Sequence, residues 1–183
     1  SFRARRIRRQ RADPRRHSGL LSPVCRLRRP AEAWIRAHPR VVGDGAAPFA
    51  FTGALHSCLR VAEVEEAALA GLHGHEYRDA AHGNRIVRET GTEIVVDGAV
   101  DRVYCDVRRP QLLRAGHPGL GIRSQGFPDA VVWNPWVDAR GKLPDMPADG
   151  WRHMLCVEAV AVRNPVTVAA GEEWCGRQSL LAV

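Results

Sequence analysis

From residue 41 to the C-terminus the sequence is a succession of short apolar runs cut by glycine, proline and Asp-Gly pairs, and this punctuation constrains the fold more than any other feature. Runs of this length, bounded by turn formers, read as strands. Strands are expected at Phe49 to Val61, Ala130 to Trp133, Met154 to Val162 and Gln178 to Val183. The clearest pattern lies in Thr92 to Tyr104, where Glu93-Ile94-Val95-Val96-Asp97 and Val100-Asp101-Arg102-Val103-Tyr104 flank Asp97-Gly98. Such a dipeptide suits the positive backbone angles of a tight hairpin. The contrary piece is Ala62 to Ala70 (AEVEEAALA), whose composition favours helix. A chain of 183 residues, 45% of them apolar, has enough material for one core.

The first forty residues have a different texture. Pro14, Pro23, Pro30 and Pro39 interrupt any helix, no hydrophobic period is visible, and arginine is used to the exclusion of lysine. Thirteen arginines against Asp13 and Glu32 give this stretch a net +11, while residues 41 to 183, with 14 basic and 18 acidic groups, carry −4. The overall +7 therefore belongs to the tail alone. A stretch with so little to bury is expected to be a disordered arm. Three readings stay open for it: a solvated tail, an arm that holds nucleic acid electrostatically, or an out-of-frame or truncated reading of a GC-rich gene. The third is suggested by the absence of an initial methionine and by Lys142 being the sole lysine.

Cys25, Cys58, Cys105, Cys156 and Cys175 are odd in number, widely spaced and free of any C-x-x-C pair. That argues against a disulfide framework and a zinc ribbon, and reduced, buried thiols are expected. No apolar run reaches about 18 residues and no secretory leader is visible, so the chain is read as soluble and cytoplasmic, with no membrane partner. His73-Gly74-His75 with His82 lacks a carboxylate or cysteine at a matching spacing, and no metal is expected. Gly116-His117-Pro118-Gly119-Leu120-Gly121 lacks the lysine and hydroxyl of a phosphate loop and reads as a plain turn.

Four short segments stand out together: Phe51-Thr52-Gly53-Ala54-Leu55-His56; Val100-Asp101-Arg102-Val103-Tyr104; Trp133-Asn134-Pro135; and Asp145-Met146-Pro147 followed by Cys156-Val157-Glu158. In this order and at these separations they resemble the C-terminal part of the aldose 1-epimerase family, in its hexose-6-phosphate mutarotase (glucose-6-phosphate 1-epimerase) branch. The resemblance runs from about Ala46 to Val183. It implies an all-β fold, a large antiparallel β-sandwich of which residues 41–183 hold only the later strands, with a sugar site in a shallow groove on one face. It also implies a strand from Val64 to Leu69 leading to the Gly71-Leu72 turn, against the helix propensity there.

The activity implied is exchange of the α and β anomers of a hexose 6-phosphate, a small-molecule partner, with neither metal nor organic cofactor. Ring opening needs a base to take the C1 hydroxyl proton and an acid to protonate the ring oxygen; two groups on opposite sides of the sugar suffice. Carried over by motif, Glu158 is the base and His56 the acid, their roles exchanging as the ring recloses. Each such group contributes roughly 10²–10⁴-fold. Asp101 would accept hydrogen bonds from sugar hydroxyls and Trp133 would offer an apolar wall. Glu158 stands out by composition as well, since it interrupts Met154-Leu155-Cys156-Val157-Glu158-Ala159-Val160, and a carboxylate in a buried strand is costly without compensation. The alternatives are a carbohydrate-binding remnant without chemistry and an arginine-tailed nucleic-acid binder.

Overall fold

The computed structural model describes residues 26–27, 34–37, 40–43, 46–116, 119–137 and 146–183. Most of the arginine-rich segment, His117-Pro118 of the glycine-rich turn and Asp145 of the D-M-P segment lie outside the described residues. The described residues are almost all β, with short 3₁₀ turns such as Val64–Glu66 and Gly150–His153. None of their helices is long and apolar enough to cross a membrane.

Two antiparallel sheets face each other. Among the described residues the first runs β1 (Arg26–Leu27), β2 (Trp34–Ala37), β16 (Arg177–Ala182), β12 (Leu120–Gln125), β11 (Gln111–Arg114), β6 (Ala68–Ala70) and β9 (Glu93–Val95). The second runs β4 (Phe49–Leu55), β14 (Met154–Val168), β13 (Asp129–Asn134), β10 (Val100–Tyr104), β7 (Glu76–Asp79) and β8 (Arg85–Arg88), with β5 (Cys58–Arg60) continuing alongside β14. A two-stranded ribbon joins β15 (Glu173–Cys175) to β3 (Arg40–Val42).

The core lies between the two sheets. Leu69, Ile94, Leu113, Ile122 and Leu180 project from the first sheet, and Leu59, Tyr104, Ala130, Val132, Leu155 and Val157 from the second. Side chains alternate across a strand, so a strand with one face in this core offers its other face outward. In β13 the inward set includes Ala130 and Val132, which leaves Val131 and Trp133 on the outer face of the second sheet. In β14, Leu155 and Val157 point inward, and Cys156 and Glu158 share the outer face with Trp133.

The incomplete antiparallel sandwich is as expected, and so are most strands. Three local readings change. The Asp97-Gly98 turn makes no hairpin: β9 pairs with β6 in one sheet, whereas β10 pairs with β13 and β7 in the other. The turn carries the chain across the sandwich, and neither residue has the positive φ that a tight hairpin turn uses. The Val64-to-Leu69 strand begins late, at Ala68, after the Val64–Glu66 turn. A strand through Glu65 and Glu66 would send one carboxylate inward, whereas the turn buries Val64 and Ala67 and leaves both acids exposed. Arg152 holds that turn, its guanidinium 3.1 Å from both Glu63 and Glu65.

The third change is the break in Phe49 to Val61. The chain leaves the ladder after Leu55, opposite Ala159, and rejoins it at Cys58, opposite Cys156. His56 and Ser57 fill the gap, across from Glu158 and Val157.

Candidate active site

The break between β4 and β5 is held from both sides. Val157 donates its backbone N–H to Ser57 O at 3.0 Å. Ser57 Oγ donates to Gln178 Oε1, and Gln178 Nε2 donates to Val157 O at 3.0 Å. Gln178 is buried on β16, in the opposite sheet, so this one amide ties the strand break to the far layer. The Ser57 carbonyl thereby keeps a hydrogen bond through the break, and the Ser57 side chain anchors the segment next to His56.

His56 Nδ1 lies 2.6 Å from Glu158 Oε1. The carboxylate accepts, so Nδ1 is the protonated nitrogen and donates. Glu158 is sunk in the sheet, its side chain 9% exposed, while His56 is 54% exposed. The hydrogen bond to Glu158 raises the His56 pKa above its ordinary 6.5, outweighing partial burial, which acts the other way. The buried carboxylate thus has the partner that its position demands. The two residues meet in direct contact and not across a sugar-sized gap.

Trp133 stands beside them, its ring centroid 6.1 Å from that of His56. Asp101 is the cross-strand partner of Trp133, and Trp133 is the partner of Cys156. Directly opposed residues in an antiparallel sheet share a face. The row Asp101, Trp133, Cys156, Cys58 therefore lies along the outer face next to the His56–Glu158 pair. The structure brings all four expected site residues to one open face. Asp101 is half-buried, and its carboxylate has no side-chain partner among the described residues.

The motifs divide between two tasks. Arg102 and Tyr104 of V-D-R-V-Y turn away from the site: Tyr104 OH donates to Glu89 at 2.7 Å and Arg102 lies over the Tyr77 ring at 4.8 Å. Asn134 of W-N-P is fully buried and donates from Nδ2 to Trp151 O at 2.8 Å and Met154 O at 2.7 Å, while its Oδ1 accepts from Trp136 N. It clamps the chain around the start of β14. His73 and His75 rest on the Gly91 and Cys105 carbonyls and His82 on Asp79, separate positions that do not converge.

The cysteine reading is corrected here. Cys58 and Cys156 are joined as a disulfide, 98 residues apart in sequence and directly opposed on β5 and β14. Spacing rules that look for local pairs cannot see such a partner. A signal was nonetheless present: Cys58 follows His56 by two residues and Cys156 precedes Glu158 by two, and in antiparallel strands those offsets meet. Gln178, by contrast, had no sequence signal. Cys105 and Cys175 are free.

Comparison with known proteins gives the family and the fold. The family model for aldose 1-epimerase matches residues 31–181. A protein of Cenchrus ciliaris, provisionally named a glucose-6-phosphate 1-epimerase, is 35% identical over 139 residues, covering 74% of this chain and 42% of that protein. A Salmonella typhimurium protein with the same provisional name is 27% identical over 128 residues, covering 64% of this chain and 40% of its own length. The crystal structure of a provisionally assigned mutarotase from Salmonella typhimurium superposes with a TM-score of 0.71 at 22% identity, over 82% of this chain and 50% of that one. That likeness is one of fold. The chain spans about two fifths of the length of the curated relatives it matches.

Proposed function

We propose, from the premise that this chain belongs to the aldose 1-epimerase family, that it carries the proton-transfer pair of a sugar mutarotase acting on a hexose 6-phosphate. The observation behind this is the 2.6 Å contact between a buried carboxylate and a half-exposed imidazole on an open sheet face. The hexose 6-phosphate is taken from the names of the two relatives and from the four sequence motifs.

The reaction needs one group to accept a proton from O1 and another to give one to the ring oxygen. Both oxygens are bonded to C1, so a base and an acid that touch each other can serve them from one side. In the resting pair His56 is protonated, a state favoured by its hydrogen bond to Glu158, which raises its pKa. A sugar lying over the pair takes its O1 to Glu158 and its ring oxygen to His56. As Glu158 accepts the O1 proton, the C1–ring-oxygen bond breaks, C1 becomes a carbonyl and His56 protonates the departing oxygen. Rotation about the C1–C2 bond presents the other carbonyl face, and the reverse transfers close the ring as the other anomer. Asp101, on the same face, accepts hydrogen bonds from hydroxyls further along the sugar, and Trp133 packs against the ring's apolar face.

The test is anomer exchange of glucose 6-phosphate followed by NMR. Glu158→Gln abolishes exchange while retaining the fold, because an amide of equal size cannot accept the O1 proton. His56→Asn loses it too, for want of an acid. Either variant exchanging within roughly threefold of the parent, against the 10²–10⁴-fold expected of such groups, would exclude that residue from the chemistry. Sugar binding by the parent with no exchange at all would favour the second reading, a carbohydrate-binding fragment, to which the coverage of only 42% of the Cenchrus ciliaris relative gives weight.

A further inference from the structure

The proton-transfer reading does not account for the two sulfurs that stand beside His56. Its Nδ1 is engaged by Glu158, and its Nε2 faces two sulfurs, Cys58 Sγ at 3.4 Å and Cys156 Sγ at 3.9 Å. The three donor atoms all lie within 4.8 Å of one another. Nothing in anomer exchange calls for sulfur beside the imidazole, and the two cysteines reach it from separate strands.

We propose that Cys58, Cys156 and His56 form a binding site for a thiophilic divalent cation of the zinc class when the two cysteines are reduced, so that the disulfide and the metal are alternative occupants of one place. Distances of about 2.3 Å to sulfur and 2.0–2.1 Å to nitrogen, at a tetrahedral angle, put N and S about 3.6 Å apart. The observed 3.4 and 3.9 Å bracket that value. Glu158 completes the arrangement, since a metal-bound histidine characteristically donates its other ring N–H to a carboxylate that fixes tautomer and ring orientation. Here that carboxylate is in place at 2.6 Å. Two thiolates and an imidazole select a soft or borderline ion over magnesium or calcium. Three protein ligands leave the fourth position for water, on the exposed side of His56.

The exchange of occupants balances. A dithiol gives two electrons and two protons to the Cys58–Cys156 bond, becoming a disulfide itself and leaving two thiols. The cation then binds both sulfurs as thiolates with release of their two protons to solvent, and a charged His56 releases its Nε2 proton as well, because only the neutral imidazole ligates. The binding claim stands on geometry alone. Its consequence rests on the mutarotase reading: an ion on Nε2 neutralises His56 as an acid and stops exchange.

The experiment uses the full chain with Cys25→Ser, Cys105→Ser and Cys175→Ser, so that no other thiol binds metal. It is reduced with a trialkylphosphine, which becomes the phosphine oxide with water supplying its oxygen, and then titrated with Co²⁺. The expected result is one Co²⁺ per chain, with thiolate-to-cobalt charge-transfer absorption and intense tetrahedral d–d bands, displaced by Zn²⁺. The oxidised chain shows none of this, and re-reduction restores it, a comparison that needs no variant at the site. Cys58→Ser and Cys156→Ser each lose the charge-transfer intensity of one thiolate, and His56→Asn weakens binding by roughly tenfold or more. Binding that is weak and unsaturable, equal in the oxidised chain, or insensitive to both cysteine variants overturns the site. Anomer exchange is read in parallel. Stoichiometric metal with exchange unaffected upholds the site and removes His56 from the proposed chemistry, whereas metal-free exchange with no Co²⁺ bands overturns the site and leaves the mutarotase reading intact.

Discussion

His56 is more than half exposed, yet its charge state is set by a residue that is almost completely buried. The Glu158 carboxylate favours the imidazolium, and His56 therefore titrates above 6.5. Because the folded-state pKa is the raised one, the stability that the pair contributes is fully present below the unfolded value of about 6.5 and is lost as pH rises through the folded value. A proton NMR titration of the His56 ring should show a midpoint above 6.5 in the parent and a fall toward 6.5 in Glu158→Gln. An unchanged midpoint in that variant would mean that the contact is not what holds the proton. The same residues show how far sequence reading reached. Glu158 was visible as a charge in an apolar run, and His56, Asp101 and Trp133 came from motif resemblance. That all four share one face follows from register, which the motifs do not encode: Asp101 opposite Trp133, and Trp133 opposite Cys156.

Among the elements, β14 does most to position the site, and its length is its difficulty. It runs from Met154 to Val168, pairing first with β5, then with β4, with a register shift between Ala161 and Val166. The shift takes backbone donors out of the ladder. Asp129, 2% exposed at the start of β13, accepts from two of them, Oδ2 taking the N–H of Val162 at 3.3 Å and of Arg163 at 3.0 Å, while its Oδ1 takes that of Asp106, just after β10, at 3.3 Å. Removing that carboxylate strands three donors. Asp129→Ala should lower the unfolding free energy by about 1–3 kcal/mol in a urea titration, and Asp129→Asn, which keeps an acceptor oxygen, by less. Equal losses for the two would assign the effect to side-chain packing instead. The expected strands Ala130 to Trp133 and Met154 to Val162 fall inside β13 and β14, because alternation and apolar runs are local signals. The register shift and the path of the Asp97-Gly98 turn are not local. They depend on which sheet each flanking strand joins, and Glu93–Val95 is drawn to β6 by burial of Ile94 between the sheets, a partner chosen by tertiary packing over the turn dipeptide.

At the scale of the whole molecule, the two sheets end differently. Among the described residues the first sheet ends at β9, a strand of three residues, and one end of the second is β8, where Arg85 and Arg88 flank an exposed Ile86. Short edges and arginine-flanked edges resist pairing with another chain. The opposite end of the second sheet is β4, seven residues long (FAFTGAL) and without a charge. It is the edge best suited to accept a further strand, and it leads directly into His56. The chain superposes on half of a mutarotase-fold structure, so strands of such a fold have no equivalent among the described residues, and β4 is where an added strand has most to gain. The chain is therefore expected to self-associate through β4 at micromolar concentration. Ala50→Lys, at an exposed position of that strand opposite Thr167, should suppress the association in light scattering, with unfolding by urea changed by no more than about 0.5 kcal/mol. Because β4 leads directly into His56, the proposed proton donor, an added strand on this edge would hold His56 more firmly, and misplacement on the order of 1 Å costs roughly 10²-fold in rate. Per chain, monomeric Ala50→Lys should thus exchange anomers about that much more slowly than the longer Salmonella typhimurium relative, both measured by NMR on glucose 6-phosphate. A parent chain that is monomeric at every concentration, or a variant that matches the longer protein in rate, would show that β4 is already capped and that His56 needs nothing further to hold it.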